Sequence, residues 1–120
     1  MEAVAKFARF ELNLRTFELR SGGNRLHLRR QSCEILVMLL ERPGELITRQ
    51  EIRNRLWPDG TVVEFEHSVN SAVNHLRDVL GDSPAKPRYI ETLSRLGYRF
   101  VGTVEFPNPA ESVPAARKSL

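Results

Sequence analysis

Between Ser68 and Asp82 the sequence reads SVNSAVNHLRDVLGD, and its polar residues are of a particular kind. Asn70, Ser71, Asn74 and His75, with Arg77 and Asp78, recur on one side of a helical repeat. The Glu and Lys pairs that an idle solvent face collects are scarce there. Amides and hydroxyls donate and accept hydrogen bonds without carrying a net charge, which suits this face to hydrogen-bond recognition. Other constellations carry less. His67 and His75 stand eight apart with no third ligand placed near them, so no metal site is expected. Glu64 and Glu66 are a carboxylate pair, but no nucleophile with its base, glycine-rich phosphate loop or ligand cluster accompanies them. A solvated loop is the simpler reading, and neither an enzyme nor a cofactor is expected.

The recognition face needs an opposite side that anchors it. Val69, Ala72, Val73, Leu76, Val79 and Leu80 recur at steps of three and four, an apolar stripe that must be buried. This predicts a helix over about 67–80, closed by Gly81 and the turn-forming Asp82-Ser83-Pro84. Upstream, Thr48-Arg49-Gln50-Glu51 has the form of a capping box, with Ile47 and Ile52 placed for a hydrophobic staple. A helix therefore starts at Arg49 and halts at Trp57-Pro58. Another runs from about Arg30 to Arg42 and stops at Pro43-Gly44. Before it, Phe10, Leu12 and Leu14, then Phe17 and Leu19, then Leu26 and Leu28 alternate with polar residues, which predicts three short antiparallel strands with a turn at Ser21–Asn24. After the polar-faced helix, YIETLSRLGYRFV from Tyr89 to Val101 reads as a β-hairpin.

One hundred and twenty residues suffice for one domain with a modest core. The excess of 18 basic over 15 acidic residues is too small to establish a nucleic-acid partner by itself. The single Cys33 excludes an internal disulfide and fits a reducing compartment. Its spacing with Leu36, Val37 and Leu40 makes it a core thiol. The N-terminus lacks the apolar run of a signal peptide, and Ile35–Leu40, the longest apolar stretch, cannot span a membrane; a cytoplasmic chain is expected.

In this order, Pro43-Gly44, Leu56-Trp57, Leu76-Arg77, Leu80-Gly81-Asp82, Tyr89-Ile90-Glu91-Thr92 and Gly97-Tyr98-Arg99-Phe100 resemble the OmpR/PhoB-type winged helix-turn-helix family, from about Phe7 to Val101. The resemblance implies an α+β fold: an N-terminal four-stranded antiparallel sheet, three helices and a C-terminal hairpin wing. Only three of those strands are evident from pattern. It also implies the DNA-binding domain of a bacterial transcription regulator, with duplex DNA as partner and no small-molecule ligand in this domain. The 67–80 helix would lie in the major groove and the 89–101 wing at the minor groove. Each base pair shows a distinct hydrogen-bonding pattern in the major groove, and asparagine can pair bidentately with adenine. Asn70 and Asn74, with Ser71 and His75 beside them, are the expected base readers. By resemblance, backbone phosphates would be met at Trp57, His67, Arg77, Thr92 and Tyr98, and the wing would act through Ser94 and Arg95.

The family's loop before the recognition helix can contact RNA polymerase, which singles out Asp59, Thr61, Val62 and Glu64; the alternative is that Val63 and Phe65 simply fold inward. The chain departs from the family at several places. Ser94 and Arg95 stand where arginine and glycine are common, His67 and His75 where many relatives have arginine, Asn70 where many have Asp, and Arg29 where a Thr or Ser would cap a helix. Fewer fixed charges imply weaker phosphate attraction by this helix and a greater reliance on homodimer or array binding on DNA. Residues 1–102 are expected to be the DNA-binding domain, and 103–120, with its prolines, a disordered tail or linker to a further domain. That order is found in ToxR/CadC-like regulators, whose winged helix comes first and can be the cytosolic part of a membrane-anchored protein. The rival reading is a winged helix serving as a protein-interaction module, since fold alone does not fix function.

Overall fold

The computed structural model describes residues 4–59 and 64–106. Its elements are β1 (Val4–Phe7), β2 (Phe10–Asn13), β3 (Leu19–Ser21), β4 (Asn24–Leu26), α1 (Arg30–Glu41), β5 (Leu46–Thr48), α2 (Arg49–Leu56), α3 (Phe65–Leu80), β6 (Ile90–Leu93) and β7 (Gly97–Phe100). The described residues fall into two compact units, 4–26 with 103–106, and those between His27 and Gly102.

The first unit is the four-stranded antiparallel sheet, ordered β1-β2-β3-β4. Alternation buries Ala5 and Phe7 on β1 and Phe10 and Leu12 on β2, with the Phe7 and Phe10 rings 5.3 Å apart. The β3–β4 turn is the one expected at Ser21–Asn24. Strand β1 was not evident from pattern, because only two of its four side chains are buried and one is an alanine. The expectation of an unstructured segment from Thr103 onward does not hold at Glu105, which exchanges backbone hydrogen bonds with Lys6 at 2.7 and 2.8 Å. The rest of that segment, from 107, lies outside the described residues.

The second unit holds the three helices and a three-stranded sheet ordered β5-β7-β6. Helix α1 buries Ile35–Leu40 without a break and ties to α3 through the Ser32 hydroxyl, which donates to the Ala72 carbonyl at 2.8 Å. Arg29 at its start gives no side-chain cap. Cys33 is buried there, and burial, then the Glu34 charge, push its thiol up to about 11, so it is an inert core group. Helix α2 opens on the full capping box: the Thr48 hydroxyl accepts from the Glu51 amide and the Glu51 carboxylate accepts from the Thr48 amide, both at 3.0 Å. Helix α3 starts at Phe65, two residues before the expected limit, and ends at Gly81 in a left-handed turn at φ 70°.

Strand β5 is three residues long and owes its existence to β7, against which Ile47 pairs with Tyr98 and Thr48 with Gly97. The approach is so close that a β-carbon on Gly97 would lie 2.1 Å from the Ile47 carbonyl oxygen. Only glycine fits that position.

Candidate nucleic-acid interface

Helix α3 has the two sides its sequence requires. Val69, Ala72, Val73, Leu76 and Leu80 are buried, while His67, Asn70, Ser71, Asn74 and Asp78 are exposed. His67, Ser71 and Asn74 make no side-chain hydrogen bond to any described residue, so their donors and acceptors face outward. His75 sits at the edge of this face. Its Nε2 accepts from the Arg29 amide at 3.4 Å, which leaves the neutral ring protonated on Nδ1. Burial, then the Arg29 and His27 charges, lower its pKa.

The ends of α3 are clamped to the wing. At the C-terminal end, Tyr89 accepts from the Val101 amide at 2.9 Å, so Tyr89 and Val101 are a hydrogen-bonded pair and the next pair, Ile90 and Phe100, is not. The peptide groups of Ile90 therefore face the open edge of β6. Arg77 and Asp82 close that edge: Arg77 Nη2 donates to the Ile90 carbonyl at 2.9 Å and to Thr92 Oγ1 at 2.7 Å, and Asp82 Oδ2 accepts from the Ile90 amide at 2.9 Å. Burial alone would push the Asp82 carboxyl up, but backbone N–H groups led by those of Arg88 and Ile90 outweigh it and hold it low. At the N-terminal end the clamp is Arg49. Its Nη1 donates to Glu66 at 2.9 Å and its Nη2 to Asn70 Oδ1 at 3.2 Å and the Tyr98 hydroxyl at 3.1 Å. Its guanidinium lies 5.3 Å from the Tyr98 ring centre, and its amide donates to the Leu96 carbonyl at 3.2 Å. The Tyr98 hydroxyl donates in turn to Asn70 Oδ1 at 3.3 Å.

A helix buried on one side, fixed at both ends to a β-hairpin and exposing amides on the other is a nucleic-acid-reading arrangement, and comparison with known proteins agrees. Residues 23–100 match the family model for the C-terminal domain of transcriptional regulatory proteins. The chain belongs to this family. A cholera toxin homolog transcriptional activator of Vibrio parahaemolyticus is 34% identical over 92 residues, 77% of this chain and 32% of that protein. Among solved structures, the response regulator DrrB, an OmpR/PhoB homologue of Thermotoga maritima, superposes with a TM-score of 0.72 at 29% identity, over 82% of this chain and 44% of that one. The DNA-binding domain of Klebsiella pneumoniae RstA, solved in complex with the RstA box, shares the fold at a TM-score of 0.69 and 23% identity, over 82% of this chain and 96% of that one. The chain spans less than half the length of the curated relatives it matches. It is thus a winged helix-turn-helix domain of a transcription-regulator family, and that family is a DNA-binding one, not a family of enzymes.

In this OmpR/PhoB-type domain several side chains expected at the surface are turned inward. Arg77 is 6% exposed and Tyr98 2%, so the guanidinium and hydroxyl expected on the phosphate flanks are spent inside the fold. Burial lowers the Arg77 pKa and raises that of Tyr98, and Arg77 Nε is buried without a hydrogen-bond partner among the described residues. Asn70 is exposed, and its carbonyl oxygen, the acceptor that bidentate pairing with adenine would use, accepts from Arg49 and Tyr98 within the fold. Thr92 and Ser94 are exposed beside Arg95, and Arg95 holds φ 65° at the wing tip, a conformation that glycine adopts without strain.

Trp57 and Phe65 are both half-buried, with their rings edge-on at 6.2 Å, and Val63 lies outside the described residues. Asp59 and Glu64 are exposed at the two ends of the loop, while Thr61 and Val62 lie outside the described residues. Arg49 escaped notice in the sequence. Its local signal is only that of a residue after a capping threonine, and its partners come from 17 to 49 positions away.

Among the described residues no group of three His, Cys, Asp or Glu side chains is placed to hold a metal, and no helix is long and apolar enough to cross a membrane.

Proposed function

We propose that this domain binds duplex DNA selectively, with α3 in the major groove and the β6–β7 wing at the adjacent minor groove, as the DNA-binding part of a bacterial transcription regulator in the cytoplasm. The observation that carries the reading is the row His67, Asn74 and Ser71 on α3: exposed, without partners among the described residues, and presented by a helix clamped at both ends. Such preorganisation lets a hydrogen-bonding side chain meet a base edge without first losing an internal bond. Asn74 takes first place as base reader, with Ser71 beside it; Asn70 contributes at most its amide donor, and His75 borders the face. His67, Thr92 and Trp57 flank the face as phosphate contacts, and Arg95 serves the wing. Arg77 and Tyr98 act by positioning. The exposed acids Asp59 and Glu64 mark the loop between α2 and α3 as the surface for RNA polymerase, and homodimers on DNA offset the low charge of α3.

An electrophoretic titration with genomic fragments tests the reading. Binding that falls steeply with salt is expected, whereas a protein-interaction module would show none. On a selected site, Asn74→Ala should lose roughly 1–3 kcal/mol of discrimination, with much smaller loss on random duplex. Equal losses on both would remove Asn74 from the reading face.

A further inference from the structure

Between the start of α3 and the wing runs an open groove of about 460 Å³, lined by Arg49, Glu66, Thr92, Ser94 and Arg95. Two cations and two hydroxyls face it, which is a lining suited to an oxyanion. The acid among them, Glu66, is placed where the anion would go. Its carboxylate takes the outer nitrogen of Arg49, and the Glu66 side chain is 69% exposed against 19% for Arg49. The two halves of the guanidinium thus differ in role. Nη2 is committed inward to Asn70 and Tyr98, while Nη1 meets an exposed surface acid, an ion pair of the kind that contributes little and is readily displaced.

We propose that this groove is a backbone-phosphate site, with Arg49 as its ligand and Glu66 as a built-in competitor that occupies the site in the free domain. The proposal rests on the duplex-binding reading above. A strand leaving the major groove beside α3 for the wing passes over this groove, and its phosphate displaces the carboxylate from Nη1 without disturbing Nη2. Glu66 then remains near the phosphate as a repelling charge, which lowers affinity for every duplex and lengthens no dwell on random sequence. The discrimination supplied by the uncharged reading face is left untouched, because phosphate contacts carry no base information. Glu66 is therefore a setting of affinity, independent of specificity.

The test is Glu66→Gln in the whole domain, titrated with the selected site and with a random duplex of equal length at several salt concentrations. Affinity should rise about three- to tenfold at low salt on both DNAs, the gain shrinking as salt screens it. Glu64→Gln, which removes an exposed acid that does not line the groove, should give a smaller gain. In an Arg49→Gln background the gain from Glu66→Gln should shrink to that of Glu64→Gln, since only the general repulsion is then left to remove, and an undiminished gain overturns the role given to Arg49. A gain cannot come from damage to the fold, so the result is readable even if Arg49→Gln folds poorly. Unchanged or weaker binding by Glu66→Gln, or a gain no larger than that of Glu64→Gln, overturns the proposal while leaving DNA binding standing. Absence of salt-dependent binding by the unsubstituted domain overturns the functional reading, and this inference with it.

Discussion

Replacing Arg77 by methionine keeps the aliphatic stem and removes the guanidinium, which separates two roles for this residue. If it positions the wing, the loss is one of stability. Ile90 is fully buried, and its carbonyl at the edge of β6 accepts from Arg77 Nη2. Without that donor the carbonyl stays buried and unpaired, at a cost of about 1–3 kcal/mol. Thr92 is exposed, so water replaces its lost partner and little is added. Part of the cost is returned, because the buried charge and the unpaired Nε disappear as well. The net expectation is a destabilisation of about 1–2 kcal/mol. In urea melts this lowers the midpoint by roughly 1 M for an m-value near 1–2 kcal/mol per molar.

DNA titrations complete the assay. Affinity should fall on specific and random duplex, but the slope of log affinity against log salt should stay within a few tenths of its original value, since no phosphate contact is lost. A variant as stable as the parent, with a slope shallower by about one unit, would refute the positioning argument and return Arg77 to the phosphate contacts.

Thr48→Ala should lower stability by roughly 0.5–2 kcal/mol through loss of the α2 cap, and unchanged urea melts would count against the capping box. His75 has its pKa lowered in the fold, first by burial and then by Arg29 and His27, so the unfolded chain takes up this proton first. Its contribution to stability is complete above 6.5, the ordinary histidine value, and is lost as pH falls through the depressed folded pKa; His75→Gln should flatten that part of the stability–pH curve, and an identical curve would refute it. Arg95→Gly should raise stability by up to about 1 kcal/mol by relieving a positive φ, while lowering affinity most for operators with A·T-rich flanks, where the minor groove is narrow. Equal loss on all flanks would make Arg95 a general phosphate contact.

What could be read from the sequence was what is encoded locally. The three helices carried their own periodicity, and α2 and α3 also their caps, Thr48 with Glu51 and Gly81, within one or two turns of the chain. The wing and the β3–β4 hairpin announced themselves by alternation around a turn. Strand β5 could not, because Leu46–Thr48 is a strand only by virtue of pairing with β7, and the signal for that pairing is the missing side chain of Gly97, some fifty residues on. The same distance hid the inward turn of the site residues. Nothing near Arg77 says that the edge of β6 will need a donor, and nothing near Asn70 says that Tyr98 and Arg49 will claim its oxygen. Exposure of Asn74, Ser71 and His67 was legible, since it follows from the helical wheel alone.

The internal bonds that removed residues from the reading face also define how that face works. Arg49, Asn70 and Tyr98 join the start of α3 to α2 and β7, while Arg77 and Asp82 join its end to β6, so hydrogen bonds tie the helix to the wing at both ends. On the proposed reading, these ties hold the spacing between Asn74 and the wing tip, so a duplex that matches it or bends to match it is favoured and groove geometry becomes part of selection. The exposed side of α3 holds the permanent anions Glu66 and Asp78 and no permanent cation, since Arg77 is buried. On that reading, fixed positive charge for the phosphates comes from beside this helix, from Arg49 and Arg95 at its border. Non-specific affinity is low in such an arrangement, and hydrogen bonds from an uncharged face make up a larger share of the total. On the proposed reading, a second copy bound beside the first would raise occupancy of the right site without strengthening the grip on every duplex.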